Sequence, residues 1–547
     1  MAISAAVHDP LAPVALPPQR AGGNLLDGDP ALLEALRREG AGAFEEAVRE
    51  LGAVLAQPEW IERGFAANEH PPRVVRLDRD GERADAIDFH PAWHDLMGLA
   101  MDHGIGGGSW AQDAPGAHVA RAAKFILHAQ VEAGTTCPLA MTWSSVGALR
   151  LEPEVAAVWE PLVTSGVYEP GERPASAKRG ALIGMALTER AGGSDVRAST
   201  TVAEPDGDAW RVTGGKWFVS AVQSDAFFVL AQTASGLSCL LVPRLDEDGR
   251  PNGFVLDRLK DKLGNRSNPT AEVELRGARG QLVGEEGCGV RTIMAMIGGT
   301  RQDCVLGSTA VMRLGTAEAV HWAAHRMAFG RPLLAAPAMR AVLADLALES
   351  EAATAGALRL ARAHEAAARG DEAAERFRRL AAPVLKYWTC KRAPAHLGEA
   401  LECQGGFGYV EESRLARAYR EAPLMSVWEG SGSVQALDVL RALARTPDAL
   451  DAVFDEIALA HGADARLDAA ARALREEVPD ESTARAWVGR MARCLQASLL
   501  VRHAPREVAD AFCATRLQGA GSAAFGELPD WVDTAAIVAR ALPEEAA

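Results

Sequence analysis

The sequence predicts an α+β multidomain fold: a helical N-terminal domain, a central small β-sandwich or barrel, a second helical bundle and a C-terminal helical extension. Three observations lead there. A chain of 547 residues exceeds what one hydrophobic core organises and implies roughly three to four domains at ~150 residues each. The texture changes from helical to strand-like near residue 181 and back again near residue 289. The composition is Ala-rich with only 5% aromatics, which favours helices because Ala loses no side-chain entropy in them. The predicted boundaries are 1–180 for the arm and first helical domain, 181–288 for the β domain, 289–446 for the bundle and 447–547 for the extension.

Taken in order, residues 1–25 are Pro-, Ala- and Gly-rich and read as an irregular arm. Helical periodicity follows in Ala31–Arg38, Ala43–Leu55 and Ala117–Gln130, interrupted by an alternating hairpin pattern over Pro71–Phe89 around Asp80-Gly81. Strand-like runs then appear at Ala181–Leu187, Trp210–Thr213, Trp217–Val219, Phe227–Gln232, Ser238–Pro243 and Ala271–Leu275. Asp206-Gly207, Gly214-Gly215 and Asp248-Gly249 read as the turns between them. Long helices are expected over Val305–His325, Met339–Arg369 and Glu372–His396. The Ala/Arg/Glu-rich stretch after Thr446-Pro447 reads as an appended segment, and no internal repeat is visible.

Bulk charge narrows the function. A net charge of -16 argues against a surface that tracks phosphate throughout, while leaving room for a local basic patch. The eight cysteines contain no C-x-x-C pair, so reduced buried thiols in a cytoplasm are the expected state. No signal peptide and no run of membrane-spanning length is seen, which predicts a cytoplasmic protein.

Two motifs read as decoys. Gly104-Ile105-Gly106-Gly107-Gly108 lacks a preceding strand and the last glycine of a dinucleotide fingerprint, so it reads as a loop. His90 and His94 have metal-like spacing but no third ligand nearby, so they read as packing residues. A more informative stretch is Met185-Ala186-Leu187-Thr188-Glu189-Arg190-Ala191-Gly192-Gly193-Ser194-Asp195, a strand running into a loop of hydroxyls and glycines. Such a loop lets backbone N–H groups and hydroxyls approach a pyrophosphate, although by itself it equally fits a surface turn.

It has company. Gly215-Lys216-Trp217-Phe218-Val219-Ser220 is a strand with a flat aromatic and a terminal hydroxyl. Arg326-Met327-Ala328-Phe329-Gly330 closes a long helix, and Gly405-Gly406-Phe407-Gly408-Tyr409 follows. Trp428-Glu429-Gly430-Ser431-Gly432-Ser433-Val434-Gln435 then precedes another helix. This ordered set, spanning residues 185 to 435, resembles the acyl-CoA dehydrogenase superfamily. Asn68-Glu69-His70-Pro71-Pro72, Phe89–His94, Lys260–Asn268 and the long C-terminal extension resemble its AidB-type branch, from about residue 25 to 445.

The resemblance implies an FAD cofactor between the β domain and the second helical domain, an acyl-CoA substrate, an unidentified electron acceptor and a homotetramer. Leu187, Thr188, Gly193 and Ser194 would then meet the flavin and pyrophosphate, and Trp217, Phe218, Val219 and Ser220 would pack along the ring. Arg326, Phe329, Gly405, Gly406, Trp428, Ser431, Gly432 and Ser433 complete the implied cofactor set. Glu429 is the implied catalytic base, its pKa raised by burial; as a bare residue it also fits a carboxylate capping the next helix. Branches that place the base just before a family Arg would use the position of Thr300, ahead of Arg301, so that alternative is absent. Pro337 and Glu402 stand where relatives carry Gln residues facing a neighbouring subunit's FAD, and Ser433 replaces a longer amide.

The AidB resemblance also implies double-stranded DNA binding by the C-terminal domain. Past Pro447 every basic residue is Arg, and acidic residues outnumber them. Arg485, Arg490 and Arg493, with Arg441, are the candidate patch, against the alternative of a solvated, salt-bridged helical face. The rival function is accordingly a DNA-binding stress protein whose flavin is chiefly structural or protective. A third reading is a flavin oxidase or monooxygenase.

Overall fold

A computed structural model describes residues 16–519 and 524–542; the first fifteen residues of the predicted arm lie outside them. The N-terminal helices are α1 (Pro30–Leu36), α2 (Glu45–Leu55), α3 (Pro58–Glu69), α4 (Pro91–Asp102), α5 (Ala117–Val131), α6 (Thr136–Leu149) and α7 (Pro153–Thr164). Between α3 and α4 the hairpin β1 (Arg73–Leu77) and β2 (Arg83–Asp88) turns at Asp80-Gly81, where Gly81 supplies the positive φ. Pro at the first turn of α1, α3, α4 and α7 starts each helix where no N–H is needed.

The central domain holds β3 (Ile183–Ala186), β4 (Val202–Asp206), β5 (Ala209–Ser220), β6 (Ala226–Thr233), β7 (Gly236–Pro243), β8 (Phe254–Leu259) and β9 (Thr270–Leu282). Strands β6-β4-β5-β9-β7 pair in a ring that closes between β7 and β6, with β3 added on β6 and β8 on β9. It is a small barrel. The expected turn at Gly214-Gly215 is instead the middle of β5. A Cβ on Gly214 would stand 2.5 Å from Thr201 Oγ1, so the glycine serves close strand packing rather than chain reversal.

The second helical region is α8 (Gly289–His325), the small hairpin β10 (Met327–Ala328) and β11 (Arg331–Pro332), α9 (Pro337–Ala368), α10 (Glu372–Cys403), α11 (Arg414–Glu421), α12 (Leu424–Val427) and α13 (Gly432–Arg445). Helix α8 begins sixteen residues before the expected Val305, running straight through Gly298-Gly299. A Cβ on Gly299 would lie 2.5 Å from Ser144 Oγ, so the small residue lets α8 approach α6. The last helices are α14 (Asp448–Ala458), α15 (Ala465–Glu476), α16 (Ala484–His503), α17 (Arg506–Arg516) and α18 (Thr534–Ala541). They share one continuous hydrophobic cluster with α9, α10 and the N-terminal helices, including Trp487, Leu495, Phe512 and Val538. Separate clusters fill the barrel and the seam between the barrel and α6, α7 and α8.

Candidate active site

Glu429 sits in the break between α12 and α13, at φ +56, followed by Gly430 at φ +97. A left-handed conformation costs a non-glycine residue on the order of 1 kcal/mol and persists only where neighbours hold it. Gln435 Nε2 donates to the carbonyls of Glu429 at 2.8 Å and Gly430 at 2.9 Å. Lys386 Nζ donates to the Gly430 carbonyl at 2.7 Å, and Arg301 Nε to that of Glu429 at 3.3 Å. Arg301 is in turn paired with Asp438 at 2.6 Å, and Asp438 also takes Arg379 at 3.1 Å. Three helices, α8, α10 and α13, therefore converge on one turn.

Burial pushes the Glu429 carboxyl above the usual carboxylate range; the Lys386 ammonium, the Thr300 hydroxyl and the Arg301 guanidinium act in the opposite sense. The capping alternative is not what is built: α13 is capped at Ser431, without a side-chain cap bond, and Glu429 faces Thr300 instead. Thr300, the position of the alternative base, thus lies beside the Glu429 carboxyl. Trp428 packs both against Cys304, Cys390 and Met425 and against the seam cluster of α6, α8 and β3. Cys137, at the start of α6, is close enough to Glu429 for their charges to interact and lies within hydrogen-bonding reach of Ser220 and Asn268.

That last contact brings the β domain to the bundle. Leu187, at the end of β3, packs on the same seam cluster as Trp428. The Thr188 carbonyl accepts from Trp217 N–H at 2.8 Å, tying the loop to β5. Gly193 folds over Thr188, where a Cβ would be 2.6 Å from Oγ1, and Ser194 is exposed beyond it. The loop is clamped by Glu189, which accepts from Thr201 Oγ1 at 2.6 Å and Lys216 Nζ at 2.8 Å. A register irregularity between Lys216 and Val219 turns Trp217 and Phe218 outward together, and Lys260 Nζ lies over both rings. Phe218 is 51% exposed and Ser220 half-buried, whereas Val219 points into the barrel core, so only its backbone reaches the outer face. On the other side, Ser431 is exposed, Gly432 packs on Lys391 and Tyr387, and Ser433 Oγ accepts from Arg485 at 3.1 Å.

Four expected cofactor residues are elsewhere. Arg326 and Phe329 follow the C-terminus of α8, some 26 residues and about 40 Å of helix from Thr300. Gly405 and Gly406 follow the C-terminus of α10, and the Trp322–Phe407 stack at 4.9 Å joins the two turns at that end. Within one chain these four cannot share a site with Glu429. Phe329 is fully exposed at φ +52, and Met327 and Tyr409 are exposed as well.

The basic patch is largely spoken for. Arg490 is paired with Glu477, and Arg493 donates to the Arg516 carbonyl at 3.0 Å while lying over Trp388. Arg485 and Arg441 are exposed, Arg485 being spent partly on Ser433 and Tyr387.

Sequence reasoning did not find the roles of Lys386, Gln435, Asp438 or Lys262: Lys386 and Asp438 meet partners distant in the chain, while Gln435 and Lys262 bond residues five to eight positions away across a turn. An FAD fits what is present. Near Ser220 in the chain, the amide of Gln223 is buried without a protein partner, and Phe218 is half-exposed. Among the described residues no cluster could hold a metal ion, and no helix is long and apolar enough to cross a membrane.

Comparison with known proteins places this geometry. Residues 16–170 match the adaptive response protein AidB N-terminal domain, 184–278 the acyl-CoA dehydrogenase middle domain and 287–444 the acyl-CoA dehydrogenase C-terminal domain. The chain is 44% identical over 510 residues to the putative acyl-CoA dehydrogenase AidB of Escherichia coli K12, covering 92% of this chain and 94% of that one. It is 32% identical over 396 residues to acyl-CoA dehydrogenase family member 11 of Caenorhabditis elegans, covering 69% and 63%. The crystal structure of Caenorhabditis elegans ACDH-11 in complex with C11-CoA superposes with a TM-score of 0.85 at 26% identity, covering 94% and 95%. The chain therefore belongs to the AidB branch of the acyl-CoA dehydrogenase family and is an acyl-CoA dehydrogenase-like flavoprotein with FAD as its cofactor.

Proposed function

We propose that the protein is a cytoplasmic α,β-dehydrogenase of acyl-CoA thioesters with Glu429 as its base. The observation that carries this is a carboxyl of raised pKa in a fixed left-handed turn, facing the seam where the barrel meets the bundle. Glu429 removes the α-proton of the thioester; Gln435, Lys386 and Arg301 hold its backbone, and Trp428 keeps bulk water from the carboxyl. Bound FAD supplies the acceptor for the β-hydride. Leu187, Thr188, Gly193, Ser194, Trp217, Phe218 and Ser220 from the barrel, with Trp428 and Ser431 to Ser433 from the bundle, form its site in this reading. The 37-residue α8 puts Arg326, Phe329, Gly405 and Gly406 out of reach, which supports their serving the FAD of another copy in a homotetramer.

The test is anaerobic titration of the flavinated protein with short, branched and medium acyl-CoAs, following the oxidised-flavin absorbance. Bleaching by one of them, lost in Glu429→Gln with FAD retained, is expected. A fully flavinated wild type that no acyl-CoA bleaches overturns the reading. For duplex DNA, Arg441 on α13 and Arg485 on α16 are the exposed cations of the expected patch, Arg485 already sharing Ser433 and Tyr387, so that partner rests on a weak electrostatic contact.

A further inference from the structure

Strand β5 ends at Ser220, paired directly across from Thr270 at the start of β9. Their hydroxyl oxygens are 3.2 Å apart. Lys262 Nζ is 2.9 Å from Thr270 Oγ1 and also donates to the Asn268 carbonyl. An ammonium group has protons to give and no lone pair, so Thr270 Oγ1 can only accept from it. That leaves the Thr270 proton available to Ser220 Oγ, and in this arrangement the Ser220 proton points away from Thr270.

Lys262 is placed to do this and little else. It makes no ion pair among the described residues; Glu132, Glu421 and Arg266 surround it at longer range, together with Cys137. Glu132 is engaged by Gly134 N–H, Thr135 N–H, Asn68 and Ser267, and Glu421 by Asn265. The positive charge therefore has no direct counter-ion, and its nearest polar side chain is the Thr270 hydroxyl that leads to Ser220.

We propose that Lys262 is a positioning residue which, through Thr270, fixes Ser220 as a hydrogen-bond donor to the flavin ring and keeps a cation behind that contact, favouring the reduced cofactor. The inference rests on Ser220 facing the FAD, as above. A donor backed by a cation stabilises negative charge accumulating on its acceptor, and charge-assisted hydrogen bonds are about twice as strong as neutral ones.

The experiment measures the flavin reduction potential of the full-length holoprotein against a reference dye, with FAD content and thermal melting as folding controls. Lys262→Met is expected to disfavour the reduced form at least tenfold, about 30 mV for a two-electron couple. Thr270→Val should shift the potential in the same direction and Thr270→Ser should leave it near wild type. The Lys262→Met/Thr270→Val double variant should move no further than Lys262→Met alone, because both act through one chain. Additive shifts, or a wild-type potential in Lys262→Met and Thr270→Val, overturn the relay. If Lys262→Met loses FAD, the Thr270→Val and Thr270→Ser pair decides by the same criterion. Ser220→Ala separates the two levels: an unchanged flavin spectrum and potential in it refutes the placement of Ser220 at the ring. A shift there without one in the other variants refutes only the role of Lys262.

Discussion

Replacing Lys386 by Met separates the two things that residue does. Its ammonium is buried, donates 2.7 Å to the Gly430 carbonyl, and opposes the burial that raises the Glu429 pKa. Met keeps the stem and removes the donor and the charge. The lost charge-assisted bond should cost about 1.5 kcal/mol of stability, at the low end for such bonds because the Gly430 carbonyl keeps its hydrogen bond from Gln435. At an effective dielectric near 20 a unit charge several ångströms away contributes on the order of 1–4 kcal/mol to keeping Glu429 ionised. With the cation gone, the Glu429 pKa rises further. The ascending limb of the rate against pH then moves to higher pH, and on its acidic side turnover falls roughly tenfold or more. The assay is the rate of acyl-CoA-dependent flavin bleaching from pH 5 to 9, with thermal melting alongside. Gln435→Leu is the control: it removes two neutral hydrogen bonds, at about 1 kcal/mol each, from the same turn and moves no charge. Equal pH limbs in wild type and Lys386→Met would refute the electrostatic reasoning, whatever the melting temperatures show.

Other outcomes follow from the same coordinates. The buried Arg121–Asp303 pair, bidentate with one arm at 2.8 Å, joins α5 to α8; Asp303→Asn should lower stability by about 3–5 kcal/mol, and a melting curve unchanged with FAD bound would contradict that. Burial pushes His118 and His396 down to about 3 and His128 to about 4, from 6.5. Their folded pKa values lie below the unfolded one, so the stability they contribute is full above pH 6.5 and lost as pH falls toward the depressed values. Each should cost about 2 kcal/mol at pH 5, read as a fall in the urea midpoint between pH 8 and 5, and a flat midpoint would count against it. If duplex DNA binds through Arg441 and Arg485 alone, the logarithm of affinity should fall with log salt with a slope near -2, and Arg485→Ala should halve it. A slope several-fold steeper would place the DNA on another surface.

Much of the architecture was legible from local pattern, because amphipathic periods of 3.6 and 2 and the turn residues between them are local properties. Asp80-Gly81 and Asp206-Gly207 turned the chain as their types demand. Gly214-Gly215 did not, since Gly214 sits against Thr201 just ahead of β4, and α8 begins well before the expected Val305. The ordered motifs pointed to the proposed base and to the residues at the barrel face. They could not show that Val219 points inward, because one bulge decides which side each β5 residue faces. Nor could they show that Arg326, Phe329, Gly405 and Gly406 stand a helix length from Glu429.

The sequence by itself determined the order α, β, α and the family, and singled out Glu429 as the proposed base, since these live in composition, periodicity and contiguous motifs. Tertiary structure alone decided what holds and tunes that carboxylate. Lys386 reaches the turn from 44 residues away and Arg301 from 128, while Thr270 meets Ser220 only through strand pairing. Hydrogen bonds and charges act over a few ångströms of space, and only the folded chain fixes which distant residues come within that range.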